Sequence, residues 1–150
     1  DMILTAVFLY IRAWRPPMSA SQFSTVCHDA GYRVGHARIL RLSKELRQTG
    51  VKVDPPKPEE ILKKRKYALK KDFGIDDHVI NEACSLIAQA RGQGFTNGKS
   101  PFSLAASALY LTAQGLTDSC ITEGEMSRFF AVTEVTIRNN NKVLGRFVRK

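Results

Sequence analysis

Apolar side chains along this chain recur mostly at helical spacing, with no sustained alternation that would indicate strands. Residues 3–14 are apolar almost all round, with small Ala6 and Ala13 interleaved, a pattern that predicts a buried central helix. Arg15-Pro16-Pro17 ends it, because proline lacks a backbone donor and restricts the residue before it. Ser19 with Gln22 predicts a capping box opening a short helix to about Cys27, followed by a turn over residues 28–32. Residues 33–49 predict a further helix, with Val34, Ala37, Leu40 and the stem of Lys44 inward and Ile39, Leu42 and Leu46 widening that face. The three prolines of Asp54-Pro55-Pro56-Lys57-Pro58 make residues 51–58 a stiff linker.

Beyond the linker the pattern predicts five helices. The first opens at Pro58, with Glu59 and Glu60 at its positive end, and closes at Gly74. The second is capped by Asp76 and buries Val79, Ile80, Ala83, Leu86, Ile87 and Ala90 before ending near Gly92. After a glycine-rich loop, Ser100-Pro101 opens a third, over 102–114, as apolar as residues 3–14. Thr122 caps a short helix to Ala131, and Thr133 caps the last, to about Val148.

The chain also repeats itself. Ala6-Val7-Phe8-Leu9-Tyr10-Ile11 answers to Ala106-Ser107-Ala108-Leu109-Tyr110-Leu111, and Arg38 to Arg138, each 100 residues apart. The capping boxes Ser19-Ala20-Ser21-Gln22 and Thr122-Glu123-Gly124-Glu125 follow in each copy. A period this long indicates one helical module used twice. The first copy shows only its last three helices, so the chain reads as a fragment or as a protein that has lost part of a repeat.

Composition narrows the function. The 150 residues are 43% hydrophobic and 25% charged, ordinary for a globular protein. No apolar run approaches the roughly 20 residues that span a bilayer, and the N-terminus lacks the basic region of a secretory signal. The net charge of +9 is shared by both parts of the chain and points to a polyanionic partner, nucleic acid before acidic membrane. Cys27, Cys84 and Cys120 are odd in number and widely spaced, which suggests buried reduced thiols in an intracellular protein. His28, His36 and His78 have no metal-ligand spacing, and Asp76-Asp77 suit a helix cap better than acid–base catalysis. Gly92, Gly94 and Gly98 do not follow a strand, so a dinucleotide loop is not indicated. Tyr10 and Tyr110 are expected in the core. We expect no catalysis, no cofactor and no metal.

The last two helices form a helix-turn-helix candidate, a motif whose second helix enters the major groove. On that second helix Ile137, Leu144 and Val148, with Val143 and Phe147 beside them, form the expected core face; Asn141 falls on the same stripe. Val135, Arg138, Lys142 and Arg149 form another stripe, where valine suits a thymine methyl and arginine a guanine edge. The competing reading is an amphipathic helix with a solvated basic face.

Residues 95–148 resemble the transcription factor IIB family. The resemblance lies in Thr96-Asn97-Gly98-Lys99-Ser100-Pro101, in Ala105-Ala106-Ser107-Ala108-Leu109-Tyr110-Leu111 and above all in Thr133-Glu134-Val135-Thr136-Ile137-Arg138-Asn139. Residues 3–50 look like a more divergent half repeat. The resemblance implies an all-α fold of cyclin-like five-helix repeats, with residues 1–50 the C-terminal half of the first, 51–58 the linker and 59–150 the second. It further implies a general transcription initiation factor that clamps the TATA-binding protein on promoter double-stranded DNA and helps recruit an RNA polymerase of type II. On this chain the implied DNA-binding residues are Val135, Thr136, Arg138, Asn139 and Lys142, with Asn97, Gly98, Lys99 and Ser100 at the backbone. Lys63, Lys64, Arg65, Lys66, Arg38 and Arg41 are candidates for additional contacts to DNA or an acidic partner; a solvated face is the plain alternative for the run 63–71. A monomer is expected. Divergence in the first half favours a eukaryotic source and the nucleus; an archaeal source would mean cytoplasm. The rivals are a cyclin-fold protein-interaction module that never touches DNA and a related factor serving another polymerase.

Overall fold

Buried apolar positions fall into two separate sets, and the chain divides accordingly into two compact units, Asp1–Pro56 and Lys57–Lys150. The computed structural model describes residues 1–14, 18–50, 53–117 and 121–148, and leaves aside the side chains of 12–14. The predicted proline stop at 15–17, Cys120 and Arg149 lie outside the described residues. Among the described residues every regular element is an α-helix, the all-α class the periodicity predicts.

The first unit contains α1 (Met2–Trp14), α2 (Ala20–Asp29) and α3 (His36–Gln48). The predicted capping box forms: Gln22 N donates to Ser19 Oγ at 3.1 Å and Ser19 N to Gln22 Oε1 at 3.1 Å. Phe8 packs against Phe23 with ring centroids 5.3 Å apart, and Leu9, Cys27, Val34 and Ile39 complete the core. Two expectations fail here. Among its described side chains α1 buries only Thr5, Phe8 and Leu9, on one face, while Ile3, Val7 and Tyr10 are exposed, Tyr10 to 65%. An all-round apolar pattern says that a helix can be surrounded, not that these residues surround it. In α3 the buried face is Ile39, Leu42 and Ser43, with Leu40 and Ala37 outside. Two overlapping apolar stripes compete there, and packing onto α1 and α2 selects the one containing Ile39.

The second unit contains α4 (Pro58–Lys64), α5 (Lys66–Phe73), α6 (Asp77–Gly92), α7 (Pro101–Leu116), α8 (Glu123–Phe130) and α9 (Glu134–Val148). Its axis is α7, buried continuously from Phe102 to Leu109, with α4, α6, α8 and α9 packed around it. Alanines 105, 106 and 108 let those neighbours approach closely. All six inward positions predicted for α6 are buried. Gly74 closes α5 in the left-handed conformation at φ 66, as its position after the last helical residue predicts. Ser100 and Asp76 stand at their helix starts without side-chain caps; position alone marks those boundaries.

The predicted helix from Pro58 to Gly74 is two helices. Arg65, at φ −95 and ψ 3, separates them, and its side chain turns inward. Nη1 donates to Phe129 O at 2.8 Å, and the guanidinium carbon lies 5.4–5.6 Å from the ring centroids of Phe102, Phe129 and Phe130. Burial lowers its pKa from the usual arginine range. Arg65 is half-buried, and the contacts of its guanidinium run to α7 and α8 within the second unit, unlike those of the exposed lysines beside it.

Candidate nucleic-acid interface

α8 and α9 form the helix-turn-helix. Thr122 and Glu125 make the predicted capping box, with Glu125 N donating to Thr122 Oγ1 at 3.2 Å and Thr122 N to Glu125 Oε2 at 2.8 Å. The bond from Thr122 N, and a second from Thr122 Oγ1 to the same Oε2 at 2.8 Å, hold the Glu125 carboxyl below its usual pKa. Ala131 ends α8 at φ 51 and ψ 53, the only non-glycine residue with positive φ among the described residues. This left-handed step turns the chain sharply enough for Thr133 to cap α9, where Thr136 N donates to its Oγ1 at 3.2 Å. Ser127 Oγ donates to Val132 O at 2.6 Å and closes the turn.

The inner face of α9 is Ile137, Asn140 and Leu144, with Phe147 half-buried beside them. Val148 is exposed, and it is Asn140, rather than Asn141, that enters the core. The stripe advances by three, four and three residues, so it tracks Phe147 and leaves Val148 outside. Asn140 Nδ2 donates to Ser107 Oγ at 3.3 Å, and Ser107 Oγ donates to Ser103 O at 2.7 Å. Asn141 is half-buried; with its amide turned to donate it reaches Ser107 O at 3.1 Å. These amides give a polar register between α7 and α9, which an apolar pattern does not foretell.

The outer face of α9 carries Val135, Arg138, Asn139 and Lys142 at successive helical spacings, all exposed; Val135 is 60% accessible. Thr136 is half-buried and its hydroxyl lies 2.8 Å from Thr133 Oγ1, so it completes the cap. Arg138 is braced by α8: Nε and one terminal nitrogen donate to Glu123 Oε2 at 3.2 and 2.8 Å. That carboxylate raises the arginine's pKa. Sequence reasoning missed Glu123, although its place one residue after the cap puts it beside the start of α9.

The loop before α7 exposes Asn97, Gly98, Lys99 and Ser100 together. Gly94 and Gly98 take positive φ, 73 and 71, which other residues rarely adopt. Lys99 Nζ lies 4.5 Å from the centroid of the Phe95 ring. On α4 and α5, Lys63, Lys64 and Lys66 are exposed, and Lys66 pairs with Asp77. In the first unit Arg38 pairs with Asp1 at 3.3 Å and Arg41 with Glu45 at 3.8 Å, both remaining exposed. Among the described residues no group of three His, Cys, Asp or Glu could hold a metal ion, and no helix is long and apolar enough to cross a membrane. Cys27 is buried; Cys84 is only half-buried, with burial raising its thiol pKa.

A unit of six helices among the described residues, built round a small-residue axis and ending in a helix-turn-helix, has the fold of a cyclin-like helical repeat. Residues 64–146 match the transcription factor TFIIB repeat. The chain is 36% identical to transcription initiation factor IIB of Aeropyrum pernix, over 79% of this chain and 34% of that protein. It is 37% identical to the factor of the same name from Saccharolobus shibatae, over 72% of this chain and 33% of that one. With transcription initiation factor IIB 6 of Halobacterium salinarum it shares 35% identity, over 71% of this chain and 32% of that protein. The chain belongs to the transcription factor IIB family. It spans about a third of the length of these curated relatives.

Proposed function

We propose that this chain acts in transcription initiation by binding the complex of the TATA-binding protein with promoter DNA, and that it helps recruit an RNA polymerase. The observation that carries the reading is the stripe Val135–Arg138–Asn139–Lys142, exposed on the second helix of a helix-turn-helix within a matched transcription factor TFIIB repeat. A methyl-sized apolar contact one turn before a guanidinium suits thymine and guanine edges in a major groove. Asn97, Gly98, Lys99 and Ser100 would meet the DNA backbone, lysine as a phosphate partner and glycine as a point of close approach. Lys63, Lys64, Lys66, Arg38 and Arg41 add positive charge and steer without reading sequence. In this reading the first unit is the C-terminal half of one cyclin-like repeat and the second unit is the next repeat. The chain performs no catalysis, needs no cofactor and works as a monomer. The named relatives come from archaea, which supports a cytoplasmic setting over the nuclear one favoured from sequence.

The test is a gel-shift titration on TATA-containing duplex, with and without the cognate TATA-binding protein. A supershift that requires the TATA-binding protein supports the reading. Binding to an acidic peptide that DNA fails to compete would instead support a protein-interaction module.

A further inference from the structure

The guanidinium of Arg138 is already engaged in the free protein. Glu123 Oε2 takes its Nε edge, at 3.2 and 2.8 Å, and the Glu123 side chain is only 22% exposed against 56% for Arg138. A guanidinium has five N–H donors in a fixed fork. With the Nε edge occupied, the edge formed by the two terminal nitrogens is left, and two parallel donors there match guanine O6 and N7. A second carboxylate stands nearby. Gly124 has no Cβ, and one added there would lie 3.2 Å from Glu134 Oε1, so the glycine leaves room for the Glu134 carboxylate against the start of α8. Glu123 and Glu134 both act on Arg138 electrostatically. A phosphate approaching this arginine meets those charges, whereas a neutral guanine edge does not.

We infer that Glu123 is a positioning residue that orients Arg138 for end-on base reading and discourages its use as a general phosphate contact, so that it sets sequence discrimination. This inference rests on the promoter reading above. Glu123 takes no part in the capping box, whose bonds run between Thr122 and Glu125, so Glu123→Gln leaves the start of α8 intact.

The experiment measures affinity for the TATA-binding protein–promoter complex on cognate and scrambled upstream sequence, using wild type, Glu123→Gln, Arg138→Ala and the double variant. Glu123→Gln should bind the scrambled sequence about fivefold more tightly and lower discrimination by a similar factor, the upper end of what an exposed charge pair supplies. In the Arg138→Ala background the same change should leave discrimination untouched. Discrimination that depends on Arg138 but not on Glu123 overturns this inference alone. A wild type that discriminates no better than Arg138→Ala overturns base reading by α9 and this inference with it, whereas binding that does not require the TATA-binding protein overturns the promoter reading. A readout without DNA is the Arg138 Nε–H proton by nitrogen-15 NMR. It should exchange slowly in wild type and faster in Glu123→Gln; equal exchange in both would show that the pair does not hold the arginine.

Discussion

Replacing Arg65 with alanine tests whether a charged residue in a basic run serves the interior rather than the surface. The substitution removes a charge-assisted hydrogen bond to Phe129 O at 2.8 Å and three ring contacts at 5.4–5.6 Å. Hydrogen bonds to charged groups contribute about 1.5–3 kcal/mol, and cation–π contacts about 0.5–2 kcal/mol depending on desolvation. Against these stands the hydration that the guanidinium gives up, which also lowers its pKa. The balance is a loss of about 2–4 kcal/mol, since truncation leaves both a cavity and a weakened carbonyl partner. For a unit of this size each kcal/mol shifts the midpoint by about 4–8 °C, so circular dichroism should show the second unit melting ~8 °C earlier or more. Arg65→Lys should recover little, because an ammonium lacks the planar fork that lies among the rings. An Arg65→Ala variant with unchanged melting but weakened DNA binding would refute the packing role and make Arg65 a DNA contact.

Other outcomes follow from the helix-turn-helix and the basic surface. Ala131→Gly should raise stability by about 0.5–1 kcal/mol in urea unfolding, because glycine takes φ 51 without the Cβ penalty; a loss would mean that the methyl packs usefully. Thr122→Ala should cost about 1 kcal/mol through the lost cap of α8. Glu125 has a lowered pKa in the folded state, so its contribution is present above the unfolded carboxylate pKa and is lost as pH falls through the folded one. Thr122→Ala removes the hydroxyl bond to that carboxylate and keeps the backbone one, so its acid titration should show a somewhat shallower fall in stability than wild type; parallel curves would contradict the hydroxyl's share. Lys63→Ala/Lys64→Ala should reduce the salt slope of DNA binding by about two if both touch phosphates, and an unchanged slope would leave them as a solvated face. Lys99→Ala should weaken all duplexes alike, and a changed sequence preference would sink its phosphate role.

The parts of this molecule that its sequence made legible are those with local chemical signatures. Both capping boxes, the glycine stop at Gly74 and the inner face of α6 follow from short-range patterns and appear where expected. So do the boundaries of the helix-turn-helix. The illegible parts depend on contacts distant in sequence. Arg65 reads in sequence as one more member of a basic run, because its aromatic surroundings come from α7 and α8. Asn140 and Ser107 satisfy each other across two helices 33 positions apart, so the polarity of one could not be read as buried. The buried faces of α1 and α3 are not legible from spacing, because apolar residues there exceed what the neighbouring helices cover. At the candidate interface, the exposed Val135 and Arg138 were visible from spacing, but the brace that Glu123 supplies from the preceding helix was not.

The central claim is that the first turn of α9 reads bases. The most direct test is the Val135→Ala/Arg138→Ala double variant beside wild type, titrated at two salt concentrations against TATA-binding protein–promoter complexes with cognate or scrambled upstream sequence. The variant should lose affinity on the cognate sequence by roughly fivefold or more, the loss expected of a bidentate base contact. Its affinity for the scrambled sequence should change little, so that the two become equivalent. Equal losses on both sequences, growing as salt falls, would contradict it and leave the helix a phosphate contact only.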